Sequence, residues 1–289
     1  MMSTKNNHIR AHRNELAILT LLHRYGHVRQ ADIGRHTWPM SAATTAKSMA
    51  HRTLSRLLDA KQLIRMGNPL GGYSYLLSSV GANRLGLQLE DEVRSGRGIT
   101  SVTGQQFIHR TLGTRYLIEK EAAGLTAHGE YAIYRGLSGL PRDTFTKLFR
   151  KIPDGLVLVN GAARGLDPDI TAVDWVEVES YYKPRTERSK IIGLSGKLGT
   201  WLDRDRKLLL DRIVFVYSSM NSHETSLLSG IDSYVREQRI TNPHILSSIV
   251  LAKCDIRPPF IWVGHTETSW LQMQNIGLPE THVDQDGQV

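Results

Sequence analysis

The sequence predicts an α/β chain, α+β overall: a helical, basic N-terminal third followed by a larger α/β domain with a mixed central sheet. Three observations predict it. Residues 1–104 hold 14 Lys and Arg against 6 Asp and Glu, whereas residues 105–289 hold 22 of each, so the net charge of +8 lies in the first third. Apolar residues recur at helical spacing through residues 14–58. Beyond residue 150, short runs rich in Val, Leu and Ile read as strands separated by helical stretches.

A basic region beside a neutral one suggests a polyanion-binding module joined to a second function. The 289 residues allow one or two domains and a real hydrophobic core. The expected boundaries are 1–90 for the basic domain, 91–104 for a linker, 105–278 for the α/β domain and 279–289 for a loose polar tail. Cys254 is the single cysteine, which excludes an intramolecular disulfide and fits a reducing compartment. No apolar run approaches a membrane span and the N-terminus lacks a signal-peptide core, so the expectation is a soluble, cytoplasmic protein without a membrane partner.

Residues 1–13 are polar and basic and read as a disordered arm, with Lys5, Arg10 and Arg13 able to reach DNA. Asn14 is a good N-cap for a helix carrying Leu16, Ile18, Leu19, Leu21 and Leu22, and Gly26 ends it. Residues 28–34 read as a short second helix. A third, over 42–63, has Met49, Leu54, Leu57 and Leu58 as its apolar stripe. Its outer face offers Thr44, Thr45, Lys47, Ser48, His51, Arg52 and Arg56. Two strand-like runs, 63–66 and 73–77, join through a Gly- and Pro-containing turn, with Arg65 on the first run. Residues 79–87 then read as a short helix. In element order and in the long basic third helix, this resembles the winged helix-turn-helix pattern. The resemblance implies a third helix in the major groove of duplex DNA and a hairpin wing on phosphates.

The α/β domain is expected to open with a helix over 105–123, a strand over 130–134 and a helix over 143–149. The stretch from Ile152 to Lys190 organises the rest of the domain. Asp154 opens one apolar run, and Glu177 and Glu179 lie two apart in the next, so both point to one face of a strand while Val176 and Val178 point to the other. Carboxylates gathered at a sheet edge repel one another unless cations or protons neutralise them. An all-oxygen site suits Mg²⁺ or Mn²⁺. A helix over 184–201, a strand over 212–217, a helix over 224–238 and strands over 245–252 and 260–263 complete the reading.

With Pro153-Asp154 on one strand and Glu177-Val178-Glu179 on the next, followed by a helix, residues 105–218 resemble the PD-(D/E)XK core of restriction endonucleases. The family's commonest motif ends in Lys where this chain has Glu179, which leaves the lysine unassigned; Lys190 is the favoured candidate and Lys183 the nearer one in sequence. Winged helix, a helix with His109 at its middle, and the acidic strands together resemble the replication-relaxation family and the MOBC class of plasmid relaxases over residues 14–218. That resemblance implies nicking of DNA at an origin of transfer, with Asp154, Glu177 and Glu179 as metal ligands and Lys190 on the phosphate. It implies relaxosome accessory or coupling proteins as partners, and a homodimer is compatible with it.

Alternatives stay open. Tyr181 or Tyr182 would replace water if attack were covalent. Asp167 and Asp169 would take a metal position if the strand register differed. His12, His23, His27, His36 and His51 lack zinc-ligand spacing, and Ser195 lacks a hydrolase elbow. The competing functional reading is a winged-helix replication or transcription factor with a degenerate nuclease-like domain; a restriction enzyme is a third.

Overall fold

The computed structural model describes residues 2–99, 105–180, 185–220 and 224–276. Tyr181, Tyr182 and Lys183, the end of the expected linker and the tail from 279 lie outside the described residues. The chain is α/β and divides into two compact units, Met1–Val159 and Asn160–Val289. Among the described residues, no helix is long and apolar enough to cross a membrane.

The first unit begins with α1 (Met2–Tyr25), β1 (His27–Arg29), α2 (Gln30–Thr37) and α3 (Ala43–Asp59). A hairpin of β2 (Leu63–Asn68) and β3 (Gly72–Leu77) comes next, then α4 (Ser79–Leu89). The three strands form an antiparallel sheet in the order β1-β3-β2. Residues 2–25 hold no Gly or Pro, so α1 runs through the segment expected to be a loose arm. Ile18, Leu19, Leu21 and Leu22 are its buried stripe. The expected second helix divides into β1, which pairs with β3, and α2. In the hairpin turn Gly71 takes φ +76°, and the Asn68 side chain accepts from the Leu70 N–H at 3.0 Å. Ser78 caps α4 by accepting from the Gly81 N–H. The expected linker is pinned at Gly96, whose N–H donates to the Leu77 carbonyl.

The unit continues with α5 (Gln105–Ala122), β4 (Thr126–Gly129), α6 (Glu130–Tyr134), α7 (Arg142–Phe149) and β5 (Gly155–Asn160). β4 and β5 are antiparallel. Residues 130–134, expected as a strand, form a helix; the strand is the preceding Thr126–Gly129, because five apolar-rich residues do not fix a period. Helix α5 packs on the N-terminal helices. Phe107 stacks on His27 at 5.6 Å, Arg115 binds Asp32 at 3.1 Å, and Glu119 binds both Arg115 and Arg35.

The second unit holds β6 (Thr171–Glu179), α8 (Arg185–Ile192), β7 (Trp201–Asp203), β8 (Leu208–Ser218), α9 (Glu224–Glu237), α10 (Pro243–Ser248), β9 (Ile249–Arg257), β10 (Ile261–Ser269) and α11 (Trp270–Ile276). Strands β6, β8 and β9 run parallel, and β7 and β10 pair antiparallel with β8 and β9, so the sheet is mixed. The parallel strands are buried over most of their length, the acids of β6 included. The helix expected over 184–201 gives way at Gly193 to a 3-10 turn. Asn242 caps α10 with Pro243 in the first turn, so the expected strand at 245 starts instead at Ile249.

Candidate functional site

Helix α3 separates its two faces cleanly. Ala46, Ala50, Thr53, Leu54 and Leu57 are buried. Thr44, Thr45, Lys47, Ser48, His51, Arg52 and Arg56 are turned away from that core, and Lys47, Arg52 and Arg56 are exposed, as is Arg65 on β2. The α2–α3 pair is held close. A Cβ on Gly34 would lie 3.1 Å from the Ala46 backbone, and Arg35 ties the turn by donating to the Pro39 carbonyl at 2.7 Å. Two cations on the exposed face, Lys47 and Arg52, make no ion pair among the described residues. Arg56 differs: Glu15 on α1 holds it at 3.3 Å and holds Arg84 at 2.9 Å. Arg65 sits over the Tyr73 ring at 4.6 Å, which fixes its direction on the hairpin. The histidines of this region are scattered core and surface groups; burial pushes His27 and His36 down to about 4.

Asp154 lies one residue before β5 rather than within it. Its carbonyl accepts from the Glu130 N–H at 2.9 Å, and its carboxylate stands 3.3 Å from His109 Nε2. Arg110, next along α5, binds Glu130 at 3.1 Å. The sequence singles out His109 and Asp154 separately; folding α5 against β5 makes them partners.

In the second unit, Glu177 and Glu179 are 0% and 3% exposed, which excludes a solvated strand face. Trp175, on the same face of β6, donates its indole N–H to Glu177 Oε1 at 2.6 Å. Asp174 faces the other way and binds Arg164 at 2.7 Å. Burial raises the nearby Asp211 carboxyl, and Arg164 partly offsets that. The parallel register aligns Glu179 with Tyr217 on β8 and Tyr217 with Lys253 on β9. Glu224, at the start of α9, accepts from the Tyr217 hydroxyl at 3.2 Å and from Lys253 Nζ at 2.9 and 3.0 Å. Burial pushes the Tyr217 phenol well above its usual value, and the Glu224 carboxylate adds to the shift.

Comparison with protein-family models, with curated proteins and with solved structures gives no match. The chemistry therefore rests on the residues alone. Lys190 is exposed on the last turn of α8 and makes no ion pair among the described residues. Asp169 is exposed and bound to Lys207 at 2.9 Å, as a surface loop residue would be. Asp154 belongs to the first unit, and Glu177 and Glu179 to the second. Among the described residues no three His, Cys, Asp or Glu side chains form a ligand group for a metal ion. The donors themselves are hard oxygens of the kind Mg²⁺ and Mn²⁺ take, with one Glu177 oxygen already bound to Trp175. The sequence reading misses Tyr217, Glu224 and Lys253. The signal that could have found them is a lone lysine inside the otherwise apolar run from Ile249 to Cys254.

Proposed function

We propose that this chain binds duplex DNA through α3 and the β2–β3 hairpin, acting as a winged helix-turn-helix, and nicks one strand at an origin of transfer. The observation that carries the DNA reading is the exposed face of α3. It displays Lys47 and Arg52 without ion pairs among the described residues, opposite a buried apolar face. Charges left unpaired in this way are free to replace counterions on phosphates. The element order around the three-stranded sheet supports the same reading.

The nicking half of the proposal draws on the buried acids. Glu177 and Glu179 on β6, and separately Asp154, are the carboxylates that the relaxase resemblance assigns to Mg²⁺ or Mn²⁺, which when bound would supply charge stabilisation on the phosphoryl oxygens and an acidified water. His109, 3.3 Å from Asp154, orients that carboxylate. The PD-(D/E)XK and relaxase assignments, and relaxosome proteins as partners, belong to this proposal. The test is supercoiled plasmid carrying the chain's own origin, incubated with protein and Mg²⁺ or Mn²⁺. Open circles are expected, lost in EDTA and in Asp154→Ala, while DNA binding by that variant persists. Nicking at full rate in EDTA would defeat the metal mechanism.

One observation favours a second reading. The Trp175–Glu177 bond gives a buried glutamate a structural partner, as expected of a replication or transcription factor whose second unit is not catalytic. Tight, salt-dependent DNA binding with no open circles under either metal would select it.

A further inference from the structure

One polar row crosses the parallel strands at the C-terminal ends of β6 and β8 and the middle of β9. Glu179, Tyr217 and Lys253 are in-register neighbours on β6, β8 and β9, so their side chains share a face of the sheet. Two strand spacings put Glu179 and Lys253 about 10 Å apart at Cα, within the joint reach of a glutamate and a lysine. Ligands of open parallel sheets bind beyond these strand ends.

Two residues of the row, Tyr217 and Lys253, converge on a single acceptor. Tyr217 Oη and both short bonds from Lys253 Nζ go to the Glu224 carboxylate, in the first turn of α9. A hydroxyl and an ammonium gathered around one anionic group are the contacts a phosphate oxygen would need. Glu224 thus occupies the place of an anion. Lys253 stays 43% exposed and Glu224 30%, so an incoming anion has access to both. Tyr217 is buried and fixed.

We propose that Lys253, and not a lysine of α8, is the cation that meets the DNA phosphate beside Glu179, and that Glu224 holds it in reserve until the phosphate displaces the carboxylate. This rests on the nicking reading. It assigns the lysine that the motif lacks at Glu179, through tertiary register rather than sequence spacing. No bond forms or breaks in the exchange: one anionic partner of Lys253 replaces another.

The two residues give opposite signs, which a structural role would not. Lys253→Ala removes the cation and slows nicking of supercoiled plasmid by about 100-fold, the scale for losing one charge-stabilising donor. Lys253→Arg restores much of the rate. Glu224→Gln still accepts from Tyr217 but no longer competes as an anion, so nicking at sub-saturating DNA rises by up to about fivefold, the worth of a partly exposed ion pair. Folding of each variant is followed by its thermal midpoint. Were Lys253 only a strut for Glu224, both variants would lower activity and midpoint together, and the inference would fall. If Lys253→Ala nicks like wild type, the inference falls while the nicking reading stands. A wild-type chain that binds the plasmid but never opens it removes both.

Discussion

The cations of the α3 face stand in water, whereas the glutamates of β6 are almost wholly withdrawn from it. Both sets are ionisable side chains set between apolar residues that fill a core. The difference is in what each charge is bound to. Lys47 and Arg52 have no ion partner among the described residues, so their charge is available to whatever polyanion approaches. Glu177 is bound to Trp175, and Glu179, on the same face, is in register with Tyr217 on the next strand. An exposed charge costs little to fold and little to remove. A buried one costs several kcal/mol to desolvate and is kept only with partners. Substitutions should therefore read out as affinity on α3 and as stability or catalysis at buried acids.

The largest expected effect tests the buried side of this contrast on α2, directly behind α3. Asp32 is 1% exposed and is held by Arg29 at 2.8 Å and Arg115 at 3.1 Å. Asp32→Ala leaves two guanidiniums without their shared carboxylate and should cost about 3–5 kcal/mol in denaturant unfolding. Burial pushes the Asp32 carboxyl up, but Arg29 and Arg115 together outweigh burial and hold it below the usual range. Its folded pKa is thus depressed, so its contribution is present above about pH 4 and lost as pH falls through the folded value. Unfolding curves at pH 7 and pH 3 should show the variant's deficit shrinking in acid. A constant deficit would mean that the charge of Asp32 contributes nothing to its hold on the two arginines.

At β6 the comparison sharpens, because one residue answers to both readings. Glu177→Ala removes the acceptor of a buried indole N–H and should cost about 1–3 kcal/mol. Glu177→Gln keeps an acceptor for Trp175 and removes only the charge. Its stability should stay within about 1 kcal/mol of wild type while nicking is lost. A Gln variant that nicks normally would make Glu177 a structural residue alone.

On the exposed face, Lys47→Ala with Arg52→Ala should leave the unfolding midpoint unchanged and weaken duplex binding. Each lost base contact is worth about 1–3 kcal/mol, and each lost phosphate contact lowers the salt slope by about one. Fluorescence anisotropy on a duplex at two salt concentrations separates the two cases. Unchanged affinity at both salts would take α3 out of the interface.

Legibility from sequence divides along the same line. The α3 face is readable because a helix's exposed and buried positions follow from its period alone, and Ala46, Ala50, Leu54 and Leu57 set that period. The placement of Glu177 and Glu179 on one face is readable from the period of two. Partners brought by distant chain are not. His109 meets Asp154 from far along the sequence, and Lys253 reaches the Glu179 row only through the parallel register of β8 with β9. Short elements also escape: β1 is three residues long, and α6 is five. Their identity is decided by which strand or helix they pair with, not by local propensity. Helix α1 is underestimated for another reason. Its first residues are polar, yet the absence of Gly and Pro lets the helix continue from the buried turns outward.

The smallest effect separates two arginines that sequence treats alike. Arg52 and Arg56 are one helical turn apart and both exposed. Arg56 is bound to Glu15 at 3.3 Å with half its side chain in solvent, and the same glutamate holds Arg84. A pair so exposed is worth about 0–1 kcal/mol, and Arg84 remains on Glu15 when Arg56 is gone. Arg56→Ala should therefore move the unfolding midpoint only slightly. Its effect on DNA should also be smaller than that of Arg52→Ala, because Glu15 already offsets much of the Arg56 charge. Glu15→Gln supplies the converse: it releases that charge and should tighten duplex binding at low salt, with the gain vanishing as salt screens it. Equal losses of affinity in Arg52→Ala and Arg56→Ala, with no gain in Glu15→Gln, would mean that DNA pulls Arg56 away from Glu15 at no cost, and that the resting ion pair does not grade the cations of this face.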